Sequence, residues 1–159
     1  MMLIAHRGNL YGPEPEKENH PLYIAEALKK GYNVEIDVWY TDGGLYLGHD
    51  EPLFNTDITF ISSIGLWLHA KDYKTLKFFV VETSSRLNYF YHTDEDYVLT
   101  SQNYIWAYPG KSGNSKTICV MPEWGNYPLK GFAGVCSDYV GNYDDQTNTI
   151  RSRWSANKG

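Results

Sequence analysis

The chain has 159 residues, of which 42% are hydrophobic and 21% charged, and its formal net charge is −5. This balance excludes an intrinsically disordered chain, and a net acidic chain lacks the basic face that nucleic-acid binding requires. We therefore expect a single globular domain over residues 1–159, with a small molecule rather than a nucleic acid as its partner.

The ends of the chain and its cysteines predict a compartment. The apolar stretch at residues 1–4 is too short for a signal peptide, and no run approaches the ~20 apolar residues of a membrane span. Cys119 and Cys136 lie in apolar runs without a metal-type spacing, which is typical of free buried thiols. These features predict a cytoplasmic protein without stable membrane insertion, and they say nothing about its oligomeric state.

A short apolar run at residues 3–5 is typical of a buried parallel strand, and the first predicted helix follows it. Pro21 suits the first position of a helix, because its missing N–H has no helical partner there. Leu22, Ala25 and Leu28 predict the apolar side of this helix. A second helix is expected after Asp72, which is a favourable N-cap residue.

Further strands are predicted by apolar or alternating runs along the rest of the chain, at residues 34–38, 45–48, 66–69, 88–92, 104–108, 117–121 and 134–138. The order strand, loop, helix, strand at the start favours an α/β fold with parallel strands. After residue 88 the runs lie close together and leave little room for helices. The polar tail from about 141 to 159 lacks periodicity and is predicted to be a loop or a frayed end.

Three polar segments come at or directly after predicted strands: Ala5-His6-Arg7-Gly8, Glu35-Ile36-Asp37-Val38 and Gly48-His49-Asp50. In α/β folds ligands bind at the carboxyl ends of the strands. Alternation along the second strand points Glu35 and Asp37 to the same side. The three segments are therefore expected to converge on one pocket.

These residue types suit phosphate chemistry. Glu35 and Asp37 offer the hard oxygen ligands that Mg²⁺ and Ca²⁺ prefer. Arg7 presents a fork of donors to a phosphate group. His6 and His49 are able to act as general acid and general base near neutral pH, one at the entering and one at the leaving oxygen.

The segments His-Arg-Gly, Glu18-Asn19, Glu-Ile-Asp-Val and Gly-His-Asp occur in an order and spacing that resembles the glycerophosphodiester phosphodiesterase family, within the phospholipase C-like phosphodiesterases. The resemblance covers roughly residues 3–54. It implies a single compact TIM-type (β/α) barrel, shortened or incomplete in its second half. It also implies a metal bound by Glu35 and Asp37, acid–base catalysis by His6 and His49, and supporting roles for Glu18, Asn19 and Asp50.

Beyond residue 54 the resemblance changes. The family places Glu-x-Lys on its third strand, whereas this chain has His69-Ala70-Lys71. Lys71 is then expected to bind the substrate phosphate, and His69 is the candidate third metal ligand. An imidazole is softer than a carboxylate and removes one negative charge, so the identity of the metal stays open. A purely structural hydrogen bond to the backbone is the alternative role for His69.

Several later residues are weaker candidates. Ser137-Asp138 resembles the closing Thr-Asp of the family, and Trp106 and Trp124 are placed to wall the pocket. Glu123 follows a strand and is able to reach the opening of the pocket. Glu95 lies in an acidic loop, which is more typical of a solvated surface.

The sequence thus predicts a metal-dependent phosphoric diester hydrolase acting on a glycerophosphodiester-type substrate, with Mg²⁺ or Ca²⁺ as cofactor. Two alternatives remain open. One is a non-catalytic or differently specialised phosphate-binding domain on the same fold, because a fold alone never proves activity. The other is a transferase resembling sphingomyelinase D, in which a hydroxyl of the substrate itself attacks the phosphate and a cyclic product forms.

Overall fold

The computed structural model describes residues 1–83 and 87–144. Ten strands lie in these two ranges: β1 (Met2–His6), β2 (Asn33–Thr41), β3 (Gly44–Leu47), β4 (Phe54–Thr56), β5 (Leu66–Ala70), β6 (Tyr89–Phe90), β7 (Tyr97–Leu99), β8 (Ile105–Ala107), β9 (Thr117–Val120) and β10 (Gly134–Ser137). The predicted runs all contain strands, whereas β4 and β7 were not predicted.

The strands form one mixed sheet. Eight of them follow the order β4-β3-β2-β1-β10-β9-β8-β7, while β5 pairs with β2 and with β6. Pairing is parallel from β6 through β5, β2, β1, β10 and β9 to β8. It is antiparallel between β2 and β3, β3 and β4, and β7 and β8. The carboxyl ends of the parallel strands therefore meet at one edge of the sheet.

The prediction of a TIM-type barrel is wrong. Such a barrel has eight parallel strands, each followed by a helix. Here the sheet is mixed and curls into a half-barrel. The described α-helices are few and short: α1 (Pro21–Lys29), α2 (Ile58–Ile61) and α3 (Tyr73–Lys77). The connection from β8 to β9, residues 108–116, is rich in Gly, Ser, Asn and Pro, which favour turns over a helix.

Helix α1 begins at Pro21, as predicted, and its N-cap is His20, whose Nδ1 accepts a hydrogen bond from the backbone N–H of Leu22. The predicted apolar side is wrong, because Leu22 is 70% exposed and the buried residues are Ile24 and Ala27. Ile24, Ala27 and the partly buried Leu28 share the side that packs against the sheet, so Leu28 is the one predicted residue that lies on it.

Alternate residues of each strand pack on opposite faces of the sheet. On β5, Leu66 and Leu68 belong to the larger apolar cluster, which includes Ile24 of α1. Trp67 belongs to the smaller cluster on the other face, together with Phe90, Trp106 and Cys136. The smaller cluster, here called the floor, lies below the strand ends, and two of its members, Phe90 and Trp106, also line a cavity there.

Both cysteines are free and buried, which confirms that prediction. Most of the predicted polar tail, residues 145–159, lies outside the described residues, and the short 3₁₀ turn Val140–Tyr143 precedes it. No helix in the described ranges combines the length and the apolar composition needed to cross a membrane.

Candidate active site

A cavity of about 180 Å³ lies at the carboxyl ends of the parallel strands. One side of it, here called the charged wall, consists of His6, Arg7, Glu35, Asp37, His49 and His69. Strand register accounts for this convergence, because His6 of β1 lies opposite Glu35 of β2, and Asp37 of β2 lies opposite His69 of β5. The three segments predicted to share a pocket are therefore brought together.

Asp37 is the centre of the charged wall and is only 1% exposed. Its Oδ1 lies 3.0 Å from His69 Nδ1 and 3.2 Å from Lys71 Nζ. Its Oδ2 accepts a hydrogen bond of 2.9 Å from Asn19 Nδ2 and lies 3.1 Å from Arg7 Nε. Burial by itself raises the pKa of Asp37, but the hydrogen bond with His69 and the charges of Lys71 and Arg7 outweigh it. The net pKa is far below the usual range, so Asp37 is ionised.

Glu35 has fewer compensating contacts and is also buried, at 3% exposure. Burial, followed by the charge of Asp37, raises its pKa above the usual value. Its Oε2 lies 3.9 Å from His6 Nε2 and accepts a long contact of 3.4 Å from the backbone N–H of Arg7. Glu35 is therefore the carboxylate of the charged wall that most lacks a cation.

Arg7 is held in place from behind the cavity. Its NH1 donates to Glu18 Oε2 at 3.0 Å, and the other oxygen of Glu18 accepts from Asn9 Nδ2 at 2.8 Å. Its Nε, although close to Asp37, is not aligned for a hydrogen bond. The backbone of Arg7 has a positive φ of 52°, a conformation that costs a non-glycine residue energy and often occurs at functional sites.

His6 is oriented by Asp138. Its Nδ1 lies 2.7 Å from Asp138 Oδ1, which also accepts from Asn9 Nδ2 at 2.8 Å. Glu123 in turn accepts hydrogen bonds from the backbone N–H of Asp138 and the hydroxyl of Ser137. Burial lowers the pKa of His6, but the hydrogen bond to Asp138 and the charge of Glu35 outweigh it, so that the net pKa is raised.

His49 comes from the loop after β3 and faces the same cavity. Gly48, with φ of 152°, makes the turn before it, and the Gly48 carbonyl accepts a hydrogen bond of 2.6 Å from Trp39 Nε1. The His49 Nδ1 lies 2.7 Å from Asp50 Oδ1. Burial, followed by the charge of Arg7, lowers the pKa of His49 despite this contact.

Three side chains of the charged wall are arranged as a candidate metal site. Glu35, Asp37 and His69 each offer one ligand atom, and these atoms all lie within 4.8 Å of one another. Two carboxylates and one imidazole form a donor set that suits a divalent cation. Asp37 would then contact the metal ion as well as the side chains of Lys71 and Arg7, which already lie against its carboxylate.

The apolar part of the lining, here called the apolar wall, begins beside His69, on which Phe90 stacks with ring centroids 5.3 Å apart. It consists of Phe90, Val98, Trp106, Pro109, Val120, Met121 and Trp124. The rings of Phe90 and Trp106 stack with centroids 4.6 Å apart, and both are nearly fully buried. The two tryptophans that the sequence placed at the pocket do line it. No motif pointed to the role of Phe90.

Most of the remaining candidates contact the lining residues without lining the cavity themselves. Four of them are not among the lining residues but contact those that are: Glu18, Asn19, Asp50 and Lys71. Glu95 lines the cavity, whereas Glu123 does not line it and instead holds Ser137 and Asp138. The sequence also gave no sign of Asn9, a fully buried side chain that joins Glu18 to Asp138.

No family model matches the chain, and comparisons with curated proteins and with solved structures found no match either. What the chain does is therefore inferred from the chemistry of the cavity.

Proposed function

We propose that the chain is a metal-dependent phosphodiesterase, similar to the glycerophosphodiester phosphodiesterases, that hydrolyses a small glycerophosphodiester-type substrate. One observation carries this proposal. Two imidazoles, His6 and His49, line the same cavity, and each is engaged at Nδ1 by a carboxylate. A histidine engaged at Nδ1 is fixed in orientation and keeps its Nε2 for a substrate atom.

The charged wall also supports binding of a phosphate group. Arg7 lines the cavity, and its guanidinium is a natural partner of phosphate oxygens. Glu35, Asp37 and His69 are the residues that would hold the divalent cation, with Mg²⁺ or Ca²⁺ favoured by the two carboxylates. A bound cation supplies positive charge that stabilises the phosphate oxygens during displacement. Asn19 keeps Asp37 in its position through two hydrogen bonds, to its side chain and its backbone.

The reaction needs two proton transfers. A water oxygen attacks the phosphorus while one imidazole takes a proton from that water. The bond from phosphorus to the alcohol oxygen breaks, and the other imidazole gives its proton to that oxygen. The products are a phosphomonoester and an alcohol. The first imidazole has gained one proton and the second has lost one, and exchange with solvent restores both for the next turnover. General acid–base assistance of this kind contributes roughly 10²- to 10⁴-fold to a rate.

The test is hydrolysis of bis(p-nitrophenyl) phosphate and a panel of glycerophosphodiesters by the full chain, with Mg²⁺, Ca²⁺ or Mn²⁺ and with chelator. We expect metal-dependent turnover that His6→Asn and His49→Asn each reduce by roughly 10²- to 10⁴-fold. The matched control is His20→Asn, because His20 lies outside the cavity as the N-cap of α1, and asparagine also caps helices. Full activity in both cavity variants would overturn the acid–base assignment.

One observation favours a second candidate, a phosphate-binding domain without catalysis. Both oxygens of Asp37 already contact two partners each, so that a metal must compete with the cations of Lys71 and Arg7. Binding of inorganic phosphate with no cleavage of any diester in the same panel would favour this candidate over the hydrolase.

A further inference from the structure

The apolar wall limits what the substrate places next to its phosphate. The cavity is lined by the charged wall and by seven apolar residues. At about 180 Å³ it is smaller than the ~300–1,000 Å³ of sites for drug-sized ligands. One phosphate and one ring-sized group therefore suit it better than a phosphate with a long chain.

The two inner rings of the apolar wall are held by tight packing, whereas Trp124 is 64% exposed. Phe90 and Trp106 are 2% and 6% exposed, and Trp106 also packs on Trp67 with ring centroids 5.8 Å apart. Phe90 lies parallel to the His69 ring, with an angle of 2° between the planes. Rings that are already fixed by their neighbours lose little freedom when a ligand packs against them. Since exposures of 2% and 6% leave only small parts of these two rings open to the cavity, a ligand ring would contact those parts rather than stack on a whole ring face.

Polar side chains are few near the apolar wall. Among the described lining residues beyond the charged wall, those with an oxygen or an imidazole are His92, Glu95 and Tyr108. Glu95 accepts hydrogen bonds from the backbone N–H and hydroxyl of Thr93 within its own loop. His92 stacks on His69 at 4.4 Å. The hydroxyls of a second glycerol would meet mostly carbon at Phe90 and Trp106.

We propose that the substrate is a phosphodiester whose one alcohol group carries a small planar aromatic ring, attached to the phosphate oxygen directly or through one carbon, and that the apolar wall binds this ring. This inference rests on the proposed function, because it takes the charged wall as the site of the phosphate. It concerns only the alcohol group. Trp106 is the specificity-determining residue, and Trp124, 64% exposed, covers the outer part of the ring.

The experiment compares the benzyl and the glyceryl esters of glycerol 3-phosphate, whose leaving alcohols have similar intrinsic reactivity. Cleavage is followed by phosphorus NMR at the metal concentration that supports turnover. We expect kcat/KM for the benzyl ester to exceed that for the glyceryl ester by roughly ten- to a hundredfold, since a buried ring removes a large apolar area from water. A ratio of one or less would overturn the proposal.

Two variants locate the preference. Trp106→Leu is expected to reduce the benzyl-to-glyceryl ratio at least tenfold, whichever way the absolute rates move. Since Trp106 is buried and its replacement risks misfolding, Trp124→Ala is the second variant, and we expect a smaller reduction of the same ratio. The control is Tyr73→Ala, because Tyr73 is 72% exposed on α3 and outside the cavity. An unchanged ratio in both tryptophan variants would show that the ring does not bind at the apolar wall.

Binding measurements separate this proposal from the proposed function. Benzyl phosphate and glycerol 3-phosphate are titrated by calorimetry, which needs no turnover. If no diester is cleaved but benzyl phosphate binds at least tenfold more tightly, the hydrolase assignment fails and the ring site stands. If diesters are cleaved and the two monoesters bind equally, the hydrolase stands and the ring site fails.

Discussion

The two walls of the cavity are held together by different forces. In the charged wall the contacts are ion pairs and hydrogen bonds, such as the 3.0 Å contact of Asp37 with His69 and the 2.7 Å contact of His6 with Asp138. In the apolar wall the contacts are between rings, as for Phe90 and Trp106. A network of buried charges is sensitive to the loss of a single partner, whereas packed rings are sensitive to the loss of volume.

The largest effect is expected from breaking the centre of the charged wall. Asp37→Asn leaves Lys71 and Arg7 without the carboxylate that they contact at 3.2 and 3.1 Å. Removing one partner from a buried ion pair typically costs about 3–5 kcal/mol, because the remaining charge stays desolvated. We expect a loss of this size in the free energy of unfolding measured in urea, together with the loss of metal binding in calorimetry.

The matched control for this prediction is an exposed pair. Glu14→Gln removes the partner of Lys17, and both side chains of that pair are about half exposed. Exposed pairs contribute at most about 1 kcal/mol, so this variant should unfold at nearly the wild-type urea concentration. Equal losses in the two variants would contradict the view that the charged wall depends on its central carboxylate.

The next largest effect tests whether the loop that contains Gly48 determines the position of His49. A Cβ at Gly48 would lie 2.1 Å from the carbonyl oxygen of Glu51, and the φ of 152° is itself unfavourable for other residues. We expect Gly48→Ala to destabilise the chain by roughly 1–3 kcal/mol and to lower kcat, since His49 moves with the loop. Thermal unfolding and diester hydrolysis measure the two effects.

Gly43→Ala is the control for this variant. Gly43 also has a positive φ, of 74°, but its Cβ would meet nothing within 4 Å. It should therefore lose roughly 1–2 kcal/mol in stability from the backbone preference alone and keep its kcat, because the loop that carries His49 does not move. Loss of turnover in Gly43→Ala as large as in Gly48→Ala would show that the activity depends on the whole hairpin rather than on the position of His49.

The charged wall was more predictable from the sequence than the apolar wall, and the reason is physical. Glu35 and Asp37 share a face because strand side chains alternate, and His6 ends a neighbouring parallel strand. These relations depend on short sequence separations or on the common edge of parallel strands. Phe90 and Trp106 come from separate strands and meet only through the curl of the sheet, which no local pattern encodes.

The fold was predictable to a similar extent. Apolar runs located the strands, but a run does not state the partner or the direction of its pairing. Strand β7 pairs antiparallel with β8, and β3 pairs antiparallel with β2, so the sheet is mixed rather than a parallel barrel. The residues between β8 and β9 form turns where a barrel requires a helix. In this segment the turn-forming residues therefore decided the structure, and the helix expected from the family resemblance did not form.

A smaller effect tests how His6 is positioned. The contact with Asp138 raises the pKa of His6, and His6 in turn lowers the pKa of Asp138. We expect Asp138→Asn to lower the His6 pKa in NMR titrations of the metal-free protein and to reduce kcat by at least about tenfold, less than removal of the imidazole itself. An unchanged His6 pKa would contradict the positioning role.

The same variant has a predicted pH dependence of stability. The raised pKa of His6 stabilises the folded chain at pH values below its ordinary 6.5 and ceases to do so as pH rises through the raised value. Because the pKa of Asp138 is lowered, ionised Asp138 stabilises the folded chain at pH values above its ordinary 3.8, and this stabilisation is lost as pH falls through the lowered value. The stability difference between wild type and Asp138→Asn should therefore be largest between these two limits, on the order of 1 kcal/mol, and should shrink on either side.

The smallest effect concerns the floor beneath both walls. Cys136 is fully buried in the smaller apolar cluster, and burial raises its pKa well above the ordinary value. Burial, followed by the charge of Glu123, raises the pKa of Cys119 to about 11. Since only the thiolate reacts readily, we expect neither thiol to react with Ellman's reagent at pH 8 in the folded chain and both to react in urea. Rapid reaction of both thiols in the folded chain would show that the floor, which contains Cys136, opens to solvent. The apolar wall would then lack the packing on which its preference for a planar ring depends.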